Sequence, residues 1–394
     1  MTQTLQEAAQ RLEDWLVHQC LPLWQKRGLD RESGGHHEQL NADGSIDRKA
    51  NIRVRVQSRQ AFTFAFASHR GWCQGQGQAR QLMQFLENSA AHPSAGGGFT
   101  HLMDPDFQVT DTKQDLYDHA FAFLAYAWCY RALGDRACLE GAEALIRHLD
   151  QRFASPYGGW TEGDYGYASR RQNPHMHLFE AMMALYEASG QAHWLARAGE
   201  IFTLFQTRFY DLERELLYEY FTEDWRLNST PEEARVEPGH MMEWVWLLDW
   251  YRRLTGHPVE VYTQGLYRRG LAMGLTASGL LMDEVSGAGQ PLKPTKRLWG
   301  MTELVKASLV RAKEGEPGAE ERALEAINRL FDYYLCATTP GAYLDQMGSD
   351  DRVSVAKAPA SSLYHLVVMV AEVRDYVQAF LTPNAKRQTL KVKR

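Results

Sequence analysis

In the stretch Glu237-Pro238-Gly239-His240-Met241-Met242-Glu243-Trp244, an imidazole and a carboxylate stand three residues apart, just after a chain-breaking Glu-Pro-Gly. Helical spacing over His240, Glu243, Trp244, Leu247 and Leu248 puts both on the face that packs inward. An imidazole, with an ordinary pKa near ~6.5, takes and returns a proton at neutral pH, and a carboxylate one turn away suits holding its tautomer. The same pair also suits a satisfied buried couple, so the other helices decide between chemistry and packing.

Similar groups recur where other polar stretches turn apolar. Arg59 stands just before Phe62-Thr63-Phe64-Ala65-Phe66, and Tyr117 and His119 open another apolar run, with Tyr117 sharing a face with Phe121. Asn173-Pro174-His175-Met176-His177 contains an H-x-H that suggests a metal, but helical residues at i and i+2 point about 200° apart, so only one faces inward. His177, in register with Glu180, Ala181 and Ala184, is that one. Trp299 and Glu303 share a face at i and i+4, and His365 heads Leu366-Val367-Val368-Met369-Val370. Six helix starts that all carry polar or ionisable groups point to one shared site, because unpaired buried charge is costly.

The elements that position these groups follow from an internal repeat. A short marker recurs at Gly34-Gly35-His36-His37-Glu38, Gly97-Gly98-Phe99-Thr100-His101, Gly158-Gly159-Trp160-Thr161-Glu162, Leu216-Leu217-Tyr218-Glu219-Tyr220, Gly279-Leu280-Leu281-Met282-Asp283 and Gly341-Ala342-Tyr343-Leu344-Asp345. The third residues are spaced by 63, 61, 58, 63 and 62. Five markers have Gly two residues before the third, and four have Asp or Glu two residues after it. Each marker reads as a short strand or hairpin, and helical periodicity fills the intervals. Helix pairs are predicted near 55–72 and 76–91, 115–133 and 136–152, 174–189 and 192–208, 238–254 and 258–274, and 298–313 and 319–336. An opening helix at 3–27 and a last one at 359–381 complete a sixth pair. Twelve helices in six equal pairs predict an all-α (α/α)6 barrel with short β-hairpins in its loops. Its ring closes because the first helix needs the partner that the last supplies. The expected organisation is one domain over 1–382 followed by a basic tail at 383–394.

Composition narrows the class. A hydrophobic content of 44% with 23% charged residues fits a large globular core, and a net charge of -6 argues against nucleic acid as the main partner. Scattered cysteines at 20, 73, 129, 138 and 336, with no C-x-x-C, suggest a reducing compartment and no structural zinc. With no signal-like amino terminus and no apolar run of membrane-spanning length, the expected location is cytoplasmic, with no membrane partner. No phosphate loop, dinucleotide fingerprint or nucleophile elbow occurs, so chemistry without cofactor or metal is expected. The 11 tryptophans suit a sugar cleft as well as helix packing, and the chain is compatible with a homo-oligomer.

The motifs Gln57-Ser58-Arg59, Asn173-Pro174-His175-Met176-His177, Pro238-Gly239-His240-Met241-Met242-Glu243-Trp244, Arg297-Leu298-Trp299-Gly300-Met301-Thr302-Glu303 and Tyr364-His365 occur in one order along nearly the whole chain. In this the chain resembles the N-acylglucosamine 2-epimerase superfamily of (α/α)6 barrels and, within it, the mannose isomerase branch. The resemblance implies that His240 and His365 are the acid/base pair on two sides of a bound monosaccharide. It also implies that Arg59, Tyr117, Asn173, His177, Glu243, Trp299 and Glu303 orient sugar hydroxyls or the histidines. Lys357, Ser361 and Ser362 take no role from it. The expected reaction is isomerisation of a free aldose, D-mannose, to D-fructose through a cis-enediolate, with His365 moving the proton between C2 and C1. Arg59, supported by His177, would stabilise oxyanion charge, and Glu243 would hold the His240 tautomer. The same histidines also serve 2-epimerisation. Inverting glycoside hydrolysis would instead need Glu243 and Glu303 about 6.5–9.5 Å apart across the scissile bond.

Overall fold

The computed structural model describes residues 3–93 and 97–381; the basic stretch at 383–394 lies outside them. Twelve helices occur among the described residues: α1 (5–27), α2 (Val54–His69), α3 (76–90), α4 (Leu116–Leu133), α5 (Arg136–Arg152), α6 (Gln172–Ser189), α7 (192–209), α8 (Pro238–Thr255), α9 (Glu260–Gly274), α10 (Leu298–Lys313), α11 (319–334) and α12 (360–381). The predicted bounds match within a few residues. Even-numbered helices form the inner ring and odd-numbered helices the outer one, an (α/α)6 barrel.

Sequence character separates the two layers. An inner helix touches neighbours on every side, and in α8 every residue from Pro238 to Tyr251 is buried. An outer helix such as α11 buries one side, Ala319, Ala323, Ala326, Ile327, Leu330, Phe331 and Tyr334, against solvated Glu and Arg on the other face. Trp24, Trp194 and Trp244 are fully buried, and Trp244 stacks on Phe179 and Phe205 with centroids 5.4 and 4.5 Å apart. Truncating side chains buried this way costs about 3–5 kcal/mol each.

The ring closes between α12 and α2. Arg59 Nη1 donates to the Ser361 carbonyl at 3.0 Å, Gln60 Nε2 to the Ala360 carbonyl at 2.6 Å, and Arg70 pairs with Asp375 at 2.7 Å. A second ring forms from the loops, since the strand leading into each inner helix pairs with the marker segment of the next repeat. Ile52–Arg53 pairs with Leu102–Met103, Arg170–Arg171 with Tyr220–Phe221, Arg235–Val236 with Glu284–Ser286 and Lys296–Arg297 with Gln346–Met347. Asp115 bridges Gly163, and Lys357–Pro359 pairs with Gln39–Asn41 of the first repeat.

The markers are latches. Their recurrent glycines at 34, 97, 158, 279 and 341 all have positive φ, and where the fourth marker lacks Gly, Glu215 takes the left-handed conformation at φ 54. The backbone N–H of the third marker residue then donates to a side chain at an equivalent place on the following inner helix. His36 donates to Gln57 at 2.7 Å, Phe99 to His119 at 3.0 Å and Trp160 to His175 at 3.1 Å. His119 and His175 are therefore structural, which explains the H-x-H: its first histidine fastens the loop and its second faces the barrel axis. No described helix is long and apolar enough to cross a membrane.

Candidate active site

All six inner helices start at one mouth, around a cavity of about 500 Å³. The opposite mouth holds a cavity of about 190 Å³ whose Arg70 and Arg131 are paired with Asp375 and Glu187. The chemistry-bearing groups belong to the larger one, which Arg59, Tyr117, Asn173, His177, His240, Glu243, Trp299 and His365 all line. They stand in two tiers set by helix register. Tyr117, Asn173, His240 and Trp299 come from the opening residues of their helices, and Arg59, His177, Glu243 and His365 lie about one turn deeper. Glu303 shares the deeper register but does not line the cavity: fully buried, it stands behind His365.

The Trp299 ring lies between the two histidines, 5.0 Å from His240 and 5.6 Å from His365. His240 Nδ1 is 3.0 Å from Glu219 Oε1 and 3.9 Å from Glu237 Oε2. Trp244 Nε1 donates to Gln172 Oε1 at 2.8 Å and Gln172 Nε2 to Glu219 Oε2 at 3.0 Å, which fixes that carboxylate. Burial alone would lower the imidazole pKa, but Glu219 and Glu237 outweigh it and raise it to about 10. His240 is thus an imidazolium at neutral pH, with Nδ1–H on Glu219 and Nε2–H left for the cavity.

His365 is poised oppositely. Its Nδ1 lies 2.8 Å from Glu303 Oε1, yet burial, offset only in part by Glu303, lowers its pKa to about 4. Arg59 and, to a smaller extent, Lys306 add to the lowering; Lys306 is fully buried, with Nζ 2.6 Å from Glu303 Oε2 and 3.7 Å from the Trp246 ring centroid. Lys306 already balances the Glu303 charge, so the pair does not recruit a proton to the imidazole. His365 donates Nδ1–H to Glu303 and keeps the Nε2 lone pair as a base.

Arg59 is clamped at the side. Nη2 donates to the Tyr117 hydroxyl at 2.8 Å, and the guanidinium lies 3.9 Å from the Phe121 ring centroid. His177 Nδ1 is 3.1 Å from Glu180 Oε2, and Glu180 accepts a 2.6 Å bond from the Tyr364 hydroxyl. Burial, reinforced by Arg59, holds His177 well below its ordinary pKa, so it is neutral; burial pushes Glu180 up to about 7.

Glu243 corrects an expectation. It and His240 share a face, but they point into the cavity side by side; Glu219, from the fourth marker loop, holds the imidazole instead. Neither Glu243 carboxylate oxygen has a hydrogen-bond partner within the protein. Burial, with Glu303 close by, keeps its carboxyl protonated well above the usual range. Glu243 therefore offers a donor and an acceptor to a bound hydroxyl.

Among the described residues, three groups bring imidazole and carboxylate ligand atoms within 4.8 Å: His177 with Glu180 and Glu243, Glu219 with Glu237 and His240, and Glu243 with Glu303 and His365. Hydrogen bonding, the His240 cation and the Lys306 ammonium already balance these sets, so they fit proton chemistry better than metal ligation.

Sequence reading missed Glu219, Gln172 and Lys306, yet each left a trace. The fourth marker carries its acid one residue early, Gln172 opens an inner helix beside Asn173, and Lys306 interrupts the apolar run of α10.

Residues 34–369 match the family model of N-acylglucosamine 2-epimerase (GlcNAc 2-epimerase). The chain is 33% identical over 380 residues to a protein named mannose-6-phosphate isomerase from Rhizobium meliloti, covering 93% of this chain and 97% of that one. It is 27% identical over 262 residues to a cellobiose 2-epimerase from Ruminococcus albus, covering 62% and 64%. The solved structure of a D-mannose isomerase matches with a TM-score of 0.83 at 20% identity, over 93% of this chain and 97% of that one, a likeness of fold.

Proposed function

Because the chain belongs to the N-acylglucosamine 2-epimerase family and is an isomerase of that group, we propose that it interconverts an unmodified aldose and its 2-ketose, D-mannose and D-fructose. The observation that carries this reading is the opposite protonation of two histidines on either side of Trp299: a neutral base at His365 and a cationic acid at His240. Environments that push two titratable groups apart divide acid from base work.

In the proposed sequence His240 first protonates the ring oxygen, opening the sugar, and is reprotonated from the C1 hydroxyl. His365 Nε2 then takes the C2 proton; the C–H pair forms the C1=C2 bond and the carbonyl pair moves onto O1. Arg59 faces this developing charge, and His240 protonates O1, giving the enediol. As His365 returns its proton to C1, the O2–H proton passes to neutral His240 and C2=O2 forms. Epimerisation would instead need His240 to deliver its proton to C2 from the opposite face. Inverting hydrolysis finds little support, since Glu303 stands behind His365 rather than across a bond from Glu243.

Proton NMR of mannose in D₂O should show fructose growing in, with glucose absent or late; glucose without ketose would overturn the reading. The pH profile of kcat/KM should be a broad plateau. Activity falls below about 4 as His365 gains its proton and above about 10 as His240 loses its own. Glu219→Gln removes the larger of the carboxylate influences on His240, so the basic limb should move down by at least about one unit. An unmoved limb would separate Glu219 from the acid.

A further inference from the structure

The residues capping the inner helices form the cavity rim, and their charges alternate: Arg53, Asp115, Arg171, Glu237, Arg297, then Pro359. Each arginine binds the acid of its own marker through Nε–H and its backbone N–H: Arg53 to Glu38, Arg171 to Glu162 and Arg297 to Asp283. Two of them reach the acidic cap of the preceding repeat, Arg171 to Asp115 and Arg297 to Glu237, both at 3.2 Å. The third has no such acid, because that cap is Pro359: Arg53 Nη2, besides pairing with Glu38 Oε1, meets only the neutral Ser361 Oγ on that side, at 3.3 Å. The marker acid of the sixth repeat, Asp345, likewise lacks its own arginine; among the described residues its side chain accepts a 3.5 Å contact from Ser362 Oγ. The alternation thus leaves a gap where Arg53, Ser361, Ser362 and Asp345 all face the cavity with hydrogen-bonding capacity to spare.

Resting on the isomerase reading, we infer that this gap is the subsite for the far end of the sugar, and that Asp345 is the specificity-determining residue, accepting hydrogen bonds from free hydroxyls and excluding a phosphorylated end. Ser361 and Ser362 precede His365 by four and three residues on α12, about 4.5–6 Å toward the rim at the rise of a helix. That is the height of one hexose standing with its reacting carbons at His365. Neutral ligands suit the gap because the rim is not a basic field. The arginines at the rim are already paired, Arg53 with Glu38, Arg55 with Asp118, Arg171 with Glu162 and Arg297 with Asp283, and Asp345 stands outside these pairs. A phosphate placed here would meet the Asp345 carboxylate, whereas a carboxylate facing vicinal hydroxyls gains charge-assisted bonds.

The test compares wild type, Asp345→Asn and Pro359→Asp with mannose and mannose 6-phosphate, by steady-state kinetics and by calorimetric binding of mannose. Asp345→Asn should raise KM for mannose on the order of tenfold with kcat little changed, and should improve the preference for mannose 6-phosphate by a similar factor. Pro359→Asp supplies the missing acid to Arg53; it should weaken mannose binding and depress use of the phosphate further. Unchanged KM and binding in both variants, or a loss confined to kcat, would overturn the subsite. Wild type that turned mannose into glucose would overturn the isomerase reading, yet the binding difference between wild type and Asp345→Asn would still report on the subsite.

Discussion

Replacing His365 with Asn should reduce turnover of mannose by about 10³–10⁴-fold while leaving the protein folded and able to bind sugar. Asparagine keeps an N–H that can reach Glu303, so the buried Glu303–Lys306 pair stays satisfied, but it has no basic nitrogen to receive the C2 proton. The loss should fall on kcat rather than KM, and exchange of the C2 hydrogen with solvent should stop along with product formation. Turnover within about tenfold of wild type would move the base elsewhere and remove the central assignment of the mechanism.

Lys306→Met should act at a distance and with a different signature. The side chain touches no part of the cavity; it lies beneath His365, between Glu303 and the Trp246 ring. Without the ammonium, Glu303 becomes a buried carboxylate whose nearest cation can only be a protonated His365. Removing one partner of a buried ion pair ordinarily costs about 3–5 kcal/mol, and proton uptake by His365 recovers part of that cost. The acidic limb of kcat/KM should therefore climb from about 4 into the neutral range. Activity at pH 7 should fall about tenfold or more and return when the pH is raised to 9. A loss that no pH rescues would mean that Lys306 only supports packing. Lys306→Met combined with Glu303→Gln, which removes both charges, should regain activity at pH 7 that the single variant loses, a coupling expected of contacting groups.

The architecture was readable because each repeat carries a physical punctuation, a left-handed residue followed by a loop latch, at nearly constant spacing. The residues facing the axis were readable for the same reason: equivalent helix starts hold equivalent register, so Arg59, His177, Glu243 and His365 fall on one tier. Contacts between repeats were not readable. Spacing of i and i+3 placed His240 and Glu243 on one face, but a shared face made them neighbours without making them partners. Glu219 reaches His240 from a loop 21 residues earlier, and Glu303, paired with Lys306, reaches His365 from another helix. The open place at the rim exists only once Pro359 of the last repeat stands beside Arg53 of the first, which linear spacing does not express.

The pairing of Gln39–Asn41 with Lys357–Pro359 bears on how the chain reaches its native state. Neighbouring helix pairs meet over about 60 residues, whereas this seam joins positions 316 apart, as in the bond from Lys357 Nζ to Asn41 Oδ1. Loop-closure entropy grows only logarithmically, so joining the distant ends costs about 1.5 kcal/mol more than joining adjacent repeats. The equilibrium penalty is small, and the larger effect is on order of events. Adjacent pairs can assemble as they emerge, yet every partial arc leaves one flank of each terminal inner helix uncovered, and Arg59 cannot meet the Ser361 carbonyl until the arc closes. Catalytic competence therefore arrives with the last step of folding, as a property of the completed circle.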